Sequence, residues 1–259
     1  MNASQDPKAR FTDRVEQYRQ YRPGYPRAAF AFVREHWGPS REWSIADIGS
    51  GTGISTRMLL EEFACTVHAV EPNAAMRTAA ELALGGLPGF RSVAGSAEAT
   101  TLEAGSMDMV AAFQAYHWFD PETTGAEFRR ILKTPGRVLL AWNDRQSDAS
   151  PFMRGYEALL QELPEYARVT HRTVTPENIS AFMEGGGLVT AGFAHCQEFD
   201  FAGLAGRFFS SSYTPAAGTA AYEEQLDRLE RLFSRTNNNG LVNFVYHTDL
   251  YLGYMKRDG

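Results

Sequence analysis

The chain has 259 residues, of which 44% are hydrophobic and 22% are charged, and its net charge is -6. These values are ordinary for a globular protein with a sizeable core, and the length fits one large domain or one domain with a substantial insertion. The negative charge disfavours a nucleic-acid partner, because neutralising a phosphate backbone needs a clustered excess of lysine and arginine.

Cysteine content and hydropathy point to a soluble protein. Cys65 and Cys196 form no CxxC pair, so neither a disulfide framework nor a zinc–thiolate site is indicated. Residues 1–14 are polar and charged, unlike a secretory signal peptide. No apolar run approaches the ~20 residues that a membrane span requires. We therefore expect a cytoplasmic protein without a membrane partner.

Residues 43–142 alternate between short apolar runs and amphipathic helical patterns. In chain order, strands are predicted at 43–48, 66–70, 90–94, 107–113 and 137–142, and helices at 54–63, 73–84 and 121–132. This alternation predicts a parallel sheet with helices on both faces, and right-handed crossovers make it a doubly wound α/β fold. The pattern changes after residue 142. Residues 143–190 are predicted mostly helical, followed by a strand at 193–201, an amphipathic helix at 219–235 and a long strand at 242–255.

A glycine-rich turn follows the first predicted strand. Residues 46–53 read ADIGSGTG. In this segment Asp47 precedes three glycines at alternate positions, Gly49, Gly51 and Gly53. Glycines let the backbone approach a ligand closely, and the start of the next helix offers free N–H groups. The third glycine of the dinucleotide pattern G-x-G-x-x-G is replaced by Ile54, and the P-loop pattern is absent from the sequence.

An acidic residue ends the second predicted strand. Glu71 follows VHAV at 67–70 and precedes Pro72. A carboxylate at the tip of this strand can accept hydrogen bonds from both hydroxyls of a ribose. The alternative is an exposed glutamate before a turn, but its position beside the glycine-rich turn favours a nucleoside-containing cofactor.

Several segments together resemble the class I S-adenosylmethionine-dependent methyltransferase superfamily, specifically the type 11 group with the ubiquinone-biosynthesis and trans-aconitate methyltransferases. They are the turn at 47–53 with Glu71, GSAE at 95–98, QAYHWF at 114–119, YRPGYP at 21–26 with Tyr18, and, more faintly, SSSYTP at 210–215. The resemblance covers residues 10–142. It implies S-adenosylmethionine as cofactor and a Rossmann-like, seven-stranded sheet whose last strand is antiparallel, with helical cap insertions.

The resemblance also implies a domain organisation and a cofactor site. We expect an N-terminal lid (1–30), a cofactor-binding core (31–142), a helical substrate cap (143–190) and C-terminal strands with an inserted helix (191–259). The glycines would lie against the methionine moiety, Glu71 would hold the ribose and Met76 would pack near adenine, although Met76 also suits a simple core position. The full expected cofactor set is Tyr18, Arg22, Asp47, Gly49, Gly51, Gly53, Glu71, Met76, Ser96, Ala97 and Gln114.

The residues that contact the methyl acceptor are predicted to follow the carboxyl ends of the strands. Methyl transfer is an in-line displacement from a sulfonium, so positioning and desolvation contribute much of the acceleration, and no catalytic dyad is expected. His117 follows the fourth strand, where ligands bind to open parallel sheets, and is a candidate donor or base toward the substrate. Tyr213 is a second candidate. For both residues a packing role is the alternative, in the case of His117 against Trp118.

Three histidines suggest a metal. If the last strand is antiparallel, His117, His171 and His247 could converge, and three imidazoles with an open position suit zinc or another divalent cation. Such a metal could bind a 2-oxo acid and stabilise its enolate for methylation at carbon. Three unrelated histidines are the alternative, because long spacings do not establish proximity.

The expected substrate is a small organic acid, methylated at a carboxylate oxygen or at the carbon of an enolisable 2-oxo acid. The arginines that could bind its carboxylate are Arg22, Arg145, Arg172 and Arg207. A nicotinamide-dependent oxidoreductase, against which Ile54 counts, and a non-catalytic nucleoside-binding module are the alternatives. The helix at 219–235 fits either a cover over the site or a subunit contact, so a monomer and a homodimer both remain open.

Overall fold

A computed structural model describes residues 20–166, 175–183, 186–211 and 213–255. The strands are β1 (Ser44–Ile48), β2 (Thr66–Val70), β3 (Phe90–Val93), β4 (Met107–Phe113), β5 (Leu132–Arg145), β6 (Gly186–Phe199) and β7 (Val242–Met255). The helices are α1 (Arg27–Trp37), α2 (Ile54–Phe63), α3 (Ala74–Leu84), α4 (Pro121–Ile131), α5 (Pro151–Gln161), α6 (Pro176–Phe182), α7 (Phe201–Phe209) and α8 (Ala220–Thr236). No helix in these ranges is long and apolar enough to cross a membrane.

The strands form one seven-stranded sheet in the order β3-β2-β1-β4-β5-β7-β6. β1 pairs in parallel with both β2 and β4, and β3 and β5 extend the parallel sheet on either side. The last strand, β7, is antiparallel, which confirms the predicted α/β fold. Because the chain order reverses between β1 and β4, their carboxyl ends border the crevice in which such sheets bind ligands.

Most predicted elements are confirmed, and several of them to the residue. α2, β2, β4 and β7 have the predicted bounds. The strand expected at 193–201 is wrong at both ends, since β6 begins at Gly186 and ends at Phe199. The Asp200 side chain accepts a hydrogen bond from the N–H of Gly203 at 2.8 Å, and this cap begins the unpredicted helix α7.

The chain groups into two compact units. Among the described residues, the core unit comprises 24–143, 175–183, 186–193 and 248–255, and the second unit comprises 20–23, 144–166, 194–211 and 213–247. In the core unit, alternate residues of each strand face opposite sides of the sheet, so that Met109 and Val110 belong to different hydrophobic clusters. α1, α2 and α3 supply one cluster, and α4 and α6 supply the other.

The second unit has its own hydrophobic cluster. α5 contributes Tyr156 and Leu160, α7 contributes Phe208, α8 contributes Leu229, and Phe244 comes from β7. All five side chains are buried. The second unit therefore has a core of its own and can hold polar side chains away from water.

Candidate functional site

The glycine-rich turn adopts a backbone conformation that favours glycine. Gly49, Gly51 and Gly53 have φ values of 69°, 57° and 84°, in the left-handed region. A Cβ on Gly49 would lie 2.7 Å from the Cβ of Ala115, and one on Gly53 would lie 2.5 Å from Cδ1 of Leu84. A Cβ on Gly51 would have Sδ of Met76 as its nearest neighbour, at 3.8 Å. The outer glycines therefore permit close packing, whereas Gly51 keeps its backbone open to a ligand.

Glu71 is attached directly to this turn. Its buried carboxylate accepts a hydrogen bond from the N–H of Gly51 at 2.9 Å through Oε2. Its Oε1 accepts another from the N–H of Asn73 at 2.7 Å. A carboxylate offers about four acceptor positions, so these two contacts are compatible with hydrogen bonds from ribose hydroxyls. The acid at the tip of β2 and the open glycine after β1 thus form one local arrangement.

Asp47 stabilises the glycine-rich turn through buried hydrogen bonds to the start of α2. Its side chain is fully buried, and Oδ2 accepts hydrogen bonds from the hydroxyls of Ser55 and Thr56 at 2.7 and 2.6 Å. Burial raises the pKa of Asp47 to about 6, with a smaller increase from Glu71, although the two hydroxyl contacts lower it. Because both hydroxyls belong to the first turn of α2, this contact sets the start of the helix relative to β1.

The residues expected near adenine follow β2 and β3. Met76 is buried in α3, and its N–H donates to the capping Oδ1 of Asn73 at 3.1 Å. Ser96 and Ala97 lie in the loop after β3, where Ser96 exchanges backbone hydrogen bonds with Ala99, and Ala97 is buried. These residues and the glycine-rich turn all follow the carboxyl ends of neighbouring parallel strands.

Gln114 directly follows β4 and has a left-handed backbone, with a φ of 55°. Its Oε1 accepts a hydrogen bond from the N–H of Asn143 on β5 at 2.8 Å. The Asn143 side chain donates to the carbonyl of Gly24 at 2.9 Å and accepts from the hydroxyl of Thr248 at 2.6 Å. Asn143 is a buried polar junction that the sequence analysis missed. Its position directly after the predicted fifth strand was the available signal.

His117 lies in a short 3-10 turn after β4, at the edge of the sheet where it was expected. Its ring centroid is 4.8 Å from that of Trp118, whose side chain is 47% exposed. This contact agrees with the packing alternative and leaves a role toward the substrate as a prediction.

Some expected site residues lie outside the described ranges, namely Tyr18, His171 and Arg172. Among the residues that the structure describes, no group of three or more His, Cys, Asp or Glu side chains could hold a metal ion. His117 belongs to the core unit and His247 to the second unit. The three-histidine metal site includes His171 and therefore stays a prediction.

Arg22 and Tyr213 belong to the second unit. Nη2 of Arg22 donates to the hydroxyl of Ser211 at 3.4 Å. Burial alone would raise the pKa of Tyr213, but the positive charges of Arg22, Arg207 and Arg145 lower it. Three of the four arginines that were expected to bind an acid therefore lower the pKa of the same tyrosine, Tyr213.

The raised pKa of Asp47 predicts a pH-dependent contribution to folding. The folded-state pKa of about 6 exceeds the ordinary 3.8. The ionised form is therefore disfavoured in the fold, fully above pH 6 and progressively less as the pH falls toward 3.8. The side-chain oxygen of the asparagine in Asp47→Asn can still accept hydrogen bonds from both hydroxyls, but this side chain never ionises. We therefore expect the free energy of unfolding of Asp47→Asn, relative to wild type, to be about 1 kcal/mol higher at pH 7.5 than at pH 5.

Urea unfolding of both proteins at the two pH values measures this difference. The exposed Asp227 provides the control, and Asp227→Asn is expected to show no such pH-dependent gain. An Asp47→Asn difference that is the same at both pH values would contradict the assignment.

Comparison with known proteins agrees with this architecture. Residues 46–140 match the family described as methyltransferase domain. An uncharacterized methyltransferase of Mycobacterium tuberculosis is 35% identical over 135 residues, which cover 52% of each chain. An uncharacterized methyltransferase of Schizosaccharomyces pombe is 28% identical over 152 residues, or 59% of each chain. The chain thus spans about half the length of the curated relatives it matches.

Solved structures share the fold. A proposed type II methyltransferase from Anaeromyxobacter dehalogenans has a TM-score of 0.64 at 22% identity, covering 90% of this chain and 98% of that one. A phosphoethanolamine N-methyltransferase of Haemonchus contortus, solved with S-adenosylhomocysteine, has a TM-score of 0.57 at 15% identity over 94% of this chain and 57% of that one. These solved structures share the fold of this chain, and residues 46–140 are similar to the methyltransferase domain family.

Proposed function

We propose that this protein is an S-adenosylmethionine-dependent methyltransferase that acts on a small organic acid. The observation that carries the proposal is the contact between Glu71 and the open glycine Gly51, whose N–H lies 2.9 Å from Oε2. It joins a carboxylate suited to ribose hydroxyls to a turn that admits a ligand against its backbone. The domain match over residues 46–140 supports the same cofactor.

The residues of the core unit fit the cofactor chemically. S-adenosylmethionine supplies an activated methyl group on a sulfonium, so the protein needs to provide no nucleophile of its own. Gly51 leaves room for a ligand, Glu71 offers acceptor oxygens and Met76 offers an apolar surface near the turn. In addition, the buried hydroxyl of Thr52 has no hydrogen-bond partner within the described ranges. The work of these residues is to bind and orient, which is where methyl transfer gains most of its rate.

A small acid fits the rest of the chain. The arginines of the second unit supply positive charge, and the resemblance to the trans-aconitate group favours a carboxylate acceptor. A carboxylate oxygen is already ionised at neutral pH and requires no base. Methylation at the carbon of a 2-oxo acid would require proton removal, for which His117 and Tyr213 are the candidates. The likenesses to methyltransferases do not favour a nicotinamide-dependent oxidoreductase or a non-catalytic module.

Two glycines provide a matched test of the cofactor site. Gly51 and Gly38 share a φ of 57°, and an added Cβ would not clash within the protein at either position. Alanine at each should therefore cost similar stability, roughly 1–2 kcal/mol. We expect Gly51→Ala to weaken S-adenosylhomocysteine binding at least tenfold and Gly38→Ala to leave it unchanged, as measured by calorimetric titration. Equal affinities in the two variants would contradict the placement of the cofactor.

Activity is tested with radiolabelled S-adenosylmethionine and a panel of small mono-, di- and tricarboxylic acids and 2-oxo acids. We expect methyl transfer to at least one acid and none to the corresponding amides. A base-labile product identifies an ester and hence oxygen methylation, whereas a base-stable product identifies carbon methylation. Tight S-adenosylhomocysteine binding without turnover on any acid would overturn the acid substrate.

Carbon methylation gives the histidine hypothesis a separate test. If His117, His171 and His247 hold a divalent metal such as zinc, elemental analysis of protein purified without a histidine tag should find near-stoichiometric metal. His117→Ala or His247→Ala should lose it, whereas His36→Ala, at an exposed position near the end of α1, should retain it. Metal-free protein that still methylates acids would contradict the hypothesis.

A further inference from the structure

Arginines and tyrosines of the second unit lie close together at its hydrophobic cluster. This group, the arginine–tyrosine cluster, consists of Arg22, Arg145, Arg207, Tyr156, Tyr213 and Tyr246. Its members come from the segment before α1, from β5, from α5, from α7 and its following loop, and from β7. Residues so distant in sequence meet around several positive charges.

Arg207 is the centre of the argument. It lies on α7, is 4% exposed, and donates through Nε to the hydroxyl of Tyr246 at 3.2 Å. Its guanidinium lies 5.2 Å from the ring centroid of Phe244. Within the described part of the chain, no carboxylate forms an ion pair with it, and its Nη1 has no hydrogen-bond partner. A buried cation without an anion is strongly unfavourable, and the unpaired N–H groups on Nη1 are donors that an oxyanion needs.

Arg145 in the same unit differs from Arg207 in having a carboxylate counter-ion, although its Nε has no hydrogen-bond partner among the described residues. It forms an ion pair with Glu157 and donates to the hydroxyl of Tyr166 at 2.7 Å. The Tyr166 hydroxyl in turn donates to Glu157 at 3.0 Å. Within the described residues, Glu157 pairs with Arg145, and no ion pair joins it to Arg207.

A buried phenol adds a second unsatisfied donor. Tyr156 is completely buried, and its ring packs edge-on against Phe208 and Phe244 with centroid distances of 5.6 and 4.7 Å. Its hydroxyl has no hydrogen-bond partner among the described residues. Burial raises the pKa of Tyr156, which keeps its proton in place for donation. Buried polar atoms are nearly always paired in folded proteins, so this exception indicates a missing acceptor.

We infer that the arginine–tyrosine cluster is an anion-binding site that takes a carboxylate of the methyl acceptor, with Arg207 as its anchor and Tyr156 as an additional donor. The lowered pKa of Tyr213 reports the positive potential at this place, since Arg22, Arg207 and Arg145 all stabilise negative charge there. The inference rests on the proposed function only in identifying the anion with the methyl acceptor; the binding site itself stands on the contacts of the second unit.

Two variants separate ligand binding from a structural role. Tyr156→Phe removes a hydroxyl that makes no hydrogen bond in the described structure, so the unliganded protein should unfold at the same temperature or higher. Arg207→Gln removes the charge and keeps an amide donor. Arg231, exposed on α8 and paired with Asp227, provides the matched control as Arg231→Gln.

The experiment is calorimetric titration of the full chain with succinate, citrate, inorganic phosphate and the neutral diamide succinamide at constant ionic strength. We expect succinate or citrate to bind and succinamide not to bind. Arg207→Gln should raise the dissociation constant at least tenfold and Tyr156→Phe about fivefold, while Arg231→Gln leaves it unchanged. If Arg207→Gln does not fold, Tyr156→Phe carries the test.

The outcomes distinguish this inference from the proposed function. S-adenosylhomocysteine binding without binding of any anion would overturn the anion site and leave the cofactor assignment intact. Anion binding without S-adenosylhomocysteine binding would overturn the proposed function and keep the site. Phosphate binding tighter than that of both carboxylates would overturn the carboxylate assignment, and a Tyr156→Phe protein that binds as well as wild type would overturn the role of Tyr156.

Discussion

One hydrogen bond organises the carboxyl edge of the sheet, where the cofactor is proposed to bind. The Gly51 N–H donates to Glu71, and through it the turn after β1 is held against the tip of β2. The turn adopts the conformation for this contact because its glycines tolerate a left-handed backbone. Asp47 also accepts hydrogen bonds from two hydroxyls in the first turn of α2, which holds the start of this helix against β1. Met76, which is also expected at the cofactor site, lies on the helix that begins just after Glu71.

The parallel half of the fold is readable from the sequence because its signals are local. Short apolar runs, helical periodicity and glycines at strand ends predict the bounds of β1 to β4 and of the helices between them close to the observed bounds. The glycine-rich turn and Glu71 were also identified correctly as neighbours, because the carboxyl ends of parallel strands share one edge of the sheet. Local patterns therefore sufficed for the part of the chain in which function depends on backbone shape.

The second unit was harder to predict because its organisation depends on contacts between distant residues. α7 was missed, since its beginning rests on one capping aspartate inside an apolar segment. Tyr156 shows only helical spacing in the sequence, and nothing local separates a core tyrosine from one whose hydroxyl lacks an acceptor. Asn143 likewise owes its role to partners at Gly24 and Thr248, which are far away along the chain.

The close approach of Gly49 to Ala115 has a consequence for how this domain can vary. A Cβ at position 49 would come within 2.7 Å of the alanine methyl, so the turn after β1 and the loop after β4 share a space that holds one methyl group. Substitutions at the two positions are therefore expected to be non-additive, with each constraining the size tolerated at the other. The loop that bears His117 can therefore vary at its tip, whereas Ala115 at its start is constrained by the backbone of the glycine-rich turn.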